Sequence, residues 1–263
     1  EALVVAFGNE LVFGLILFWW FLGVASGAGL GSRLAARAEN PVAWLSALLL
    51  ILPLAGLVEL GVLRSMRLWM DIPAGEYTSL GELFAGAGLG VTPYSFLIGL
   101  VFPFAGQVAA SVRKKEHPQW AAGASYVYVL EALGSLSAGM LFPFVLLPFL
   151  SPCRIFHLLA ISVLVSSIVY FYFSHENRSR WRIAAFLLVP VLLLPAGRWQ
   201  ELTETLRLRS QYGLFEHVET RQTPYQRLDL LERAGQYSLF GNGHFIGSFP
   251  DPYVWREKVH SAM

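Results

Sequence analysis

The sequence is poor in charged residues and has almost no cysteine. Charged residues make up 14% of the 263 positions, hydrophobic residues make up 55%, and the mean hydropathy is +0.53. A water-soluble domain has no use for so much apolar surface, so the composition predicts a protein of the bilayer. The formal net charge of +1 argues against a bulk nucleic-acid binder. The single cysteine, Cys153, excludes an internal disulfide and a cysteine-based metal cluster.

The sequence contains several long apolar runs. About 18 or more apolar residues are needed to cross roughly 30 Å of hydrocarbon. Runs of that kind occupy residues 11–31, 41–63, 91–112, 119–150 and 155–173. A shorter run at 183–197 is bracketed on both sides by tryptophan and arginine, as interfacial residues bracket a span. We therefore predict about six spans, with residues 1–8 as the tail of a preceding helix.

Basic residues in the connections predict the orientation. If every run spans, one side has Arg33, Arg37, Arg113, Lys114, Lys115, Arg178, Arg180 and Arg182, and the other has Arg64, Arg67, Arg154 and Arg198. The side richer in basic residues is expected to be cytoplasmic. The long connection at 68–90 is then a surface excursion on the outer face. The expected location is a cell membrane of the bacterial inner-membrane type, crossed several times, with the lipid bilayer as a partner.

The pattern changes at Gln200. Residues 201–209 suit a short amphipathic helix, and residues 217–223 and 226–232 show the alternation of half-buried strands. Asn242-Gly243 is a type I′ hairpin signature that joins 237–240 to 244–249. The predicted fold is mainly α, a polytopic transmembrane helical bundle, with a small C-terminal antiparallel β-hairpin module. The predicted domains are the helical membrane domain at 1–199 and the β module at 200–263.

Glycines and glutamates inside the apolar runs are candidates for packing or chemistry. Gly23, Gly27 and Gly31 share one helix face, which predicts close packing against a second helix. Glu131 lies well inside its run, where a carboxylate must pair, face water or stay protonated, so it is either part of a proton or cation path or a packing hydrogen bond. Glu59 lies nearer the end of its run and is a weaker candidate for a functional role. These glutamates favour an alternative function, that of a membrane transporter or scaffold. The spacing of the histidines and the cysteine does not predict a metal site.

Polar residues of the tail form the second set of candidates. Gln226 can donate and accept hydrogen bonds through one amide, which suits a nucleoside or an amino-acid-like group, and equally suits a strand-edge glutamine facing water. Tyr253 and Glu257 share a helix face, as do Arg256 and His260. An aromatic ring beside a carboxylate suits a cationic amine, although a surface helix has the same spacing.

Together these residues resemble the membrane-bound branch of the spermidine synthase, or polyamine aminopropyltransferase, family. Tyr128-Val-Leu-Glu131-Ala-Leu-Gly134 is similar to the family's Tyr-x-x-Asp-x-x-Gly helix, and Phe102-Pro103 is similar to its Phe-Pro element. The order and spacing of the family's small β domain are followed by Pro224-Tyr-Gln226, Asn242-Gly243, Asp251-x-Tyr253 and Glu257-x-x-His260. The resemblance implies a membrane domain, a small β domain and a Rossmann-like catalytic domain.

The resemblance also implies an enzyme that transfers an aminopropyl group from decarboxylated S-adenosylmethionine to an amine. Gln226 would contact this sulfonium nucleoside, and Tyr253 and His260 would border the amine pocket. Trp255-Arg256 replaces the family's Tyr-His pair. The permanent positive charge of the Arg256 guanidinium disfavours the dication putrescine as acceptor. The family's nucleotide-binding residues and catalytic Asp would lie beyond Met263, so we expect no catalytic residue and no bound cofactor in this chain, and no activity from it alone.

The expected partners follow from the same resemblance. They are a small-molecule amine and the sulfonium nucleoside, without nucleic acid, and a homo-oligomer is compatible with the sequence. The orientation deduced from the basic residues places the β module outside the cytoplasm, where a nucleoside donor is scarce.

Overall fold

The computed structural model describes residues 11–74, 76–116, 123–173, 196–213, 215–223 and 226–251. Its helices are α1 (Leu11–Arg37), α2 (Pro41–Arg64), α3 (Met66–Trp69), α4 (Leu80–Glu116), α5 (Gly123–Leu141), α6 (Leu147–Phe149), α7 (Pro152–Phe173) and α8 (Ala196–Tyr212), with a π-helical turn at Phe142–Leu146. Its strands are β1 (Glu216–Gln222), β2 (Arg227–Arg233), β3 (Gln236–Gly241) and β4 (His244–Phe249). This is the predicted fold class, a helical membrane bundle followed by a small antiparallel sheet.

Four stretches of the described chain are helical, long and apolar enough to cross a bilayer. They are Leu11–Arg37, Pro41–Arg64, Leu80–Ser111 and Ser125–Phe149. Helix α7 is 22 residues long, and its residues Pro152–Val163 form a shorter apolar segment. The sixth predicted run, at 183–197, lies almost wholly outside the described residues, as does the partial helix predicted at 1–8.

Helices α1 and α4 pack in parallel through the predicted glycine face. Gly23, Gly27 and Gly31 are all buried. A methyl group added at Gly27 would overlap the carbonyl oxygen of Phe96, and one added at Gly31 would lie 3.2 Å from the backbone of Leu100. The two backbones therefore approach as closely as small-residue helix packing allows, which confirms the sequence prediction.

Helix α4 begins earlier than predicted. The sequence prediction placed 68–90 in a surface excursion, but α4 starts at Leu80 and runs through Pro93 and Pro103. A capping box explains the start, because Ser79 Oγ accepts from Glu82 N at 3.3 Å and Glu82 Oε2 accepts from Ser79 N at 2.7 Å. The true connection is therefore about half as long as predicted, at 70–79.

The connection before α4 wraps around a buried arginine. The side chain of Arg67 is 1% exposed and donates hydrogen bonds to the carbonyl oxygens of Pro73 and Glu76, both at 2.7 Å. Burial lowers the pKa of Arg67, and the carboxylates of Glu82 and Glu76 oppose that effect. Its guanidinium satisfies backbone groups that would otherwise need water.

The sheet is a four-stranded meander with sequential antiparallel pairing, β1-β2-β3-β4. The Asn242-Gly243 turn lies where the sequence predicts it, and both its residues adopt positive φ, as do Ala234 and Gly235 between β2 and β3. Asn242 and Gly243 have φ of 49° and 88°, which is the type I′ geometry that matches the strand twist. Helix α8 covers one face of the sheet, and Leu208, Tyr212 and Leu231 form the core between them.

Candidate functional site

A buried ion cluster joins the sheet to the helices. At its centre Asp229 on β2 is fully buried, and each of its carboxylate oxygens accepts from Arg207 Nη2 at 3.0 Å. Thr220 Oγ1 donates to Asp229 at 2.7 Å, and the hydroxyl of Tyr212 donates to it at 3.3 Å. The strand alternation of β2 turns Arg227, Asp229 and Leu231 inwards, which is why a charged residue faces α8.

Glu204 extends the cluster to the membrane helices. Its carboxylate pairs with Arg207 at 2.6 Å on the same helix, with Arg227 on β2, and with Arg64 at 3.5 Å at the end of α2. Arg64 is fully buried and also donates to Thr203 Oγ1 at 2.7 Å. Three elements, α2, α8 and β2, are therefore tied together at one point.

Charge and burial set the protonation states in this cluster. Burial alone would raise the pKa of Asp229, but the charges of Arg207 and Arg227 and the hydrogen bond from Thr220 outweigh it, so the pKa lies below its ordinary value. Burial and the neighbouring carboxylate raise the pKa of Tyr212, which keeps its hydroxyl protonated and able to donate. Asp229 is thus a stable anion between guanidinium groups.

A cavity of about 840 Å³ lies between the membrane helices and the sheet. Its walls are mostly apolar and come from the helices α1, α2, α4, α5, α6 and α7 and the π-helical turn. The membrane helices contribute the polar groups of Glu59, Tyr94 and Ser137. The polar lining residues from the sheet and its turns are Gln222, Thr223, Gln226, Arg227 and Asn242. One side of this cavity is therefore hydrophobic and the other can form hydrogen bonds.

Gln226 lies on the polar side of this cavity and is held by local contacts. Its backbone carbonyl accepts from Thr223 Oγ1 at 2.6 Å and from Thr223 N at 3.0 Å. Its side-chain oxygen lies against β3, where a methyl group added to Gly241 would be 2.7 Å away. Next to it, Asn242 Oδ1 accepts from Arg227 N at 3.0 Å. The glycine and the hairpin turn position the amide at the cavity wall.

The predicted site residues have different outcomes. Gln226 lines the cavity, whereas Tyr253 and His260 lie outside the described residues, so their roles stay predictions. Glu59, which the sequence analysis ranks below Glu131 as a candidate, lines the same cavity on the membrane side. Glu131 is exposed on α5 and does not line this cavity. In the described part of the chain no group of three or more His, Cys, Asp or Glu could hold a metal ion.

Sequence reasoning missed the ion cluster. The signal was present, because Glu204 and Arg207 are spaced i, i+3 on a helix and Arg227 and Asp229 share one strand face. Charged residues on the same face as Leu231 break the pattern of an apolar inner strand face, and such a break indicates paired buried charges.

The fold and the cavity define the class of this protein as a helical membrane protein with an antiparallel β module docked on its helices. Searches with the chain find no matching family model, no matching curated protein and no matching solved structure. Functional inference therefore depends on the geometry of the chain's own residues.

Proposed function

We propose that this chain is the membrane domain and β module of an aminopropyltransferase-like enzyme. In the complete protein, the enzyme transfers an aminopropyl group from decarboxylated S-adenosylmethionine to an amine. The observation that supports the proposal is the position of Gln226, the residue to which the family resemblance assigns donor contact. Its amide lies at the wall of a cavity large enough for a nucleoside, since ligand pockets occupy roughly 300–1,000 Å³.

The surroundings of Gln226 suit a polar, planar group such as a nucleobase or ribose. Thr223, Asn242 and Arg227 line the same side of the cavity and offer donors and acceptors beside the amide. The buried ion cluster fixes β2 against α8, so Arg227 and the adjacent Gln226 have little freedom to move. A preorganised wall of this kind lowers the entropic cost of binding.

The reaction breaks one bond and forms one. The nitrogen lone pair of the acceptor amine attacks the aminopropyl carbon next to the sulfonium, the carbon–sulfur bond breaks, and its electron pair leaves on the neutral thioether. The amine then loses a proton to a general base. The proposal assigns that base to a part of the protein beyond Met263, and assigns binding and positioning to the residues described here.

The test is an assay of a longer protein that includes the region after Met263, with decarboxylated S-adenosylmethionine and a set of amines. We expect release of the thioether nucleoside, and we expect Gln226→Ala to lower kcat/KM for the donor by about tenfold or more, because a buried polar contact to the ligand is lost. The matched control is Gln236→Ala, since Gln236 is exposed at the start of β3. No thioether release with any amine, or equal effects of the two variants, would overturn the proposal.

A further inference from the structure

Among the described residues that line the membrane side of the cavity, Glu59 supplies the one carboxylate, in mostly apolar surroundings. Glu59 lies on α2 five residues before Arg64, which corresponds to about 7.5 Å along the helix axis. Because Arg64 contacts α8 at the end of the bundle, Glu59 lies close to the level at which the helices meet the β module. Its side chain is half-buried and lines the cavity. Among the described residues, the carboxylate has no hydrogen-bond or salt-bridge partner.

Aromatic rings line the same cavity as this carboxylate. Trp20 and Tyr94 lie with their ring centroids 6.5 Å apart, and both line the cavity with Phe156. Gly56, one turn before Glu59, leaves room for these rings, because an added methyl group would lie 2.6 Å from the ring of Phe156. Ring faces attract cations, and a carboxylate adds a full opposite charge.

The geometry points to a binding site for an amphiphilic organic amine, with its ammonium group at Glu59 and its hydrocarbon chain along the apolar walls. A metal ion fits poorly, because hard cations need several oxygen ligands and Glu59 is a lone carboxylate here. An anion fits poorly too, since Arg227, the arginine that lines this cavity, is paired with Glu204 and Asp229. The apolar walls favour a hydrocarbon chain over a fully polar amine.

This inference does not depend on the proposed transfer reaction, because binding at Glu59 needs neither a donor nor a general base. It adds a ligand class to the membrane side of the cavity, whereas the proposed function rests on Gln226 at the polar side. The two can fail separately, one in a binding measurement on this chain and the other in an assay of the longer protein.

The experiment is a titration of the chain in lipid nanodiscs with decylamine, decanol and decanoate, with empty nanodiscs as the reference for partitioning. We expect decylamine to bind more tightly than decanol by about tenfold or more, the value of a charge-assisted hydrogen bond. Decanoate is expected to bind no better than decanol. Equal binding of the amine and the alcohol, or tighter binding of the acid, would overturn the inference.

Two glutamate variants locate the site. Glu59→Gln is expected to remove the preference for decylamine over decanol and to leave decanol binding unchanged. Glu131→Gln is the matched control, because Glu131 is also a glutamate of an apolar helix but is exposed and lies outside the cavity lining. A preference for decylamine that survives Glu59→Gln, or that is lost in Glu131→Gln, would assign binding elsewhere. Photolabelling with a diazirine-bearing alkylamine, followed by mass spectrometry, should label cavity residues such as Phe156. This measurement locates the bound amine even where a variant has altered stability.

Discussion

Asp229 is the residue whose loss should cost the module most. It accepts hydrogen bonds from four side chains, those of Arg207, Tyr212, Thr220 and Arg227. Asp229→Asn leaves two buried guanidinium groups with one carboxylate fewer, and breaking a buried ion pair from one side costs about 3–5 kcal/mol. We therefore expect hydrogen-exchange protection of the β2 amides to fall by about a hundredfold or more.

The same substitution should change how the module responds to acid. The folded pKa of Asp229 lies below its ordinary value, so its stabilising contribution is complete above the ordinary value of about 3.9 and is lost as the pH falls below it towards the folded pKa. The opening free energy from hydrogen exchange should show this acid loss in the native chain and not in Asp229→Asn. Glu219→Gln, an exposed change on β1, is the control and should leave both quantities unaltered. An unchanged acid response in Asp229→Asn would show that another group causes it.

The residues that the sequence predicted are those whose roles are local. Asn242 and Gly243 define a turn by their own backbone preferences, and the glycines of α1 define a face by their spacing. Asp229 depends on Arg207, which is 22 residues away in sequence, and no local pattern states that α8 will cover β2. The position of Glu59 at the cavity was not predictable for the same reason, because the other walls come from α1, α4, α5, α6, α7, the π-helical turn and the sheet with its turns.

At the scale of elements, the contact between α1 and α4 should be the least tolerant of added volume. Gly27→Ala places a methyl group on the carbonyl oxygen of Phe96, and backbone cannot move aside as a side chain can. Overpacking of this kind costs about 1–3 kcal/mol, so we expect a lower midpoint of thermal unfolding for the purified chain in detergent. Gly29→Ala is the matched control, since a methyl group there would meet no atom within 4 Å, and it should be neutral or stabilising. Equal effects of the two alanines would contradict this packing.

Helix boundaries show what hydropathy alone predicts and what it leaves out. The apolar runs placed α2 to within one residue, because hydrocarbon thickness sets the length of a span, whereas α1 continues beyond the predicted end at Gly31 to Arg37. The start of α4 at Leu80 was missed, since Ser79 and Glu82 define it by capping and that segment is less apolar than the rest of the helix. The predicted domain boundary at residue 199 lies within α8, and this helix contacts both α2 and β2.

At the scale of the whole molecule, the β module lies at the end of the bundle opposite most basic connections. Arg64, at the end of α2, contacts α8 through Thr203 and Glu204, so the module lies at that end. Helices α1 and α4 run in parallel, as the contacts of Gly27 with Phe96 and of Gly31 with Leu100 show. Their C-terminal ends, with Arg33, Arg37 and residues 113–115, are therefore together at the other end.

In this arrangement, the distribution of basic residues and the transferase proposal predict opposite sides of the membrane for the β module. The excess of basic residues predicts that the end with Arg33 and Arg37 is cytoplasmic and that the module is outside. The transferase proposal predicts a module in the cytoplasm, where a sulfonium nucleoside is made. Val218→Cys decides between them, because Val218 is 45% exposed on β1 and the native Cys153 is fully buried.

The measurement is labelling of Val218→Cys by a membrane-impermeant maleimide in intact and in permeabilised cells, with the unsubstituted chain as the background control. The transferase proposal predicts labelling only after permeabilisation. Labelling of intact cells would overturn transfer from a cytosolic donor, and the amine site at Glu59 would then remain, because lipid-soluble amines reach that level of the bundle from either side of the bilayer. The side of the membrane on which Val218 lies therefore tests the transferase proposal and leaves the amine site at Glu59 to the binding measurement.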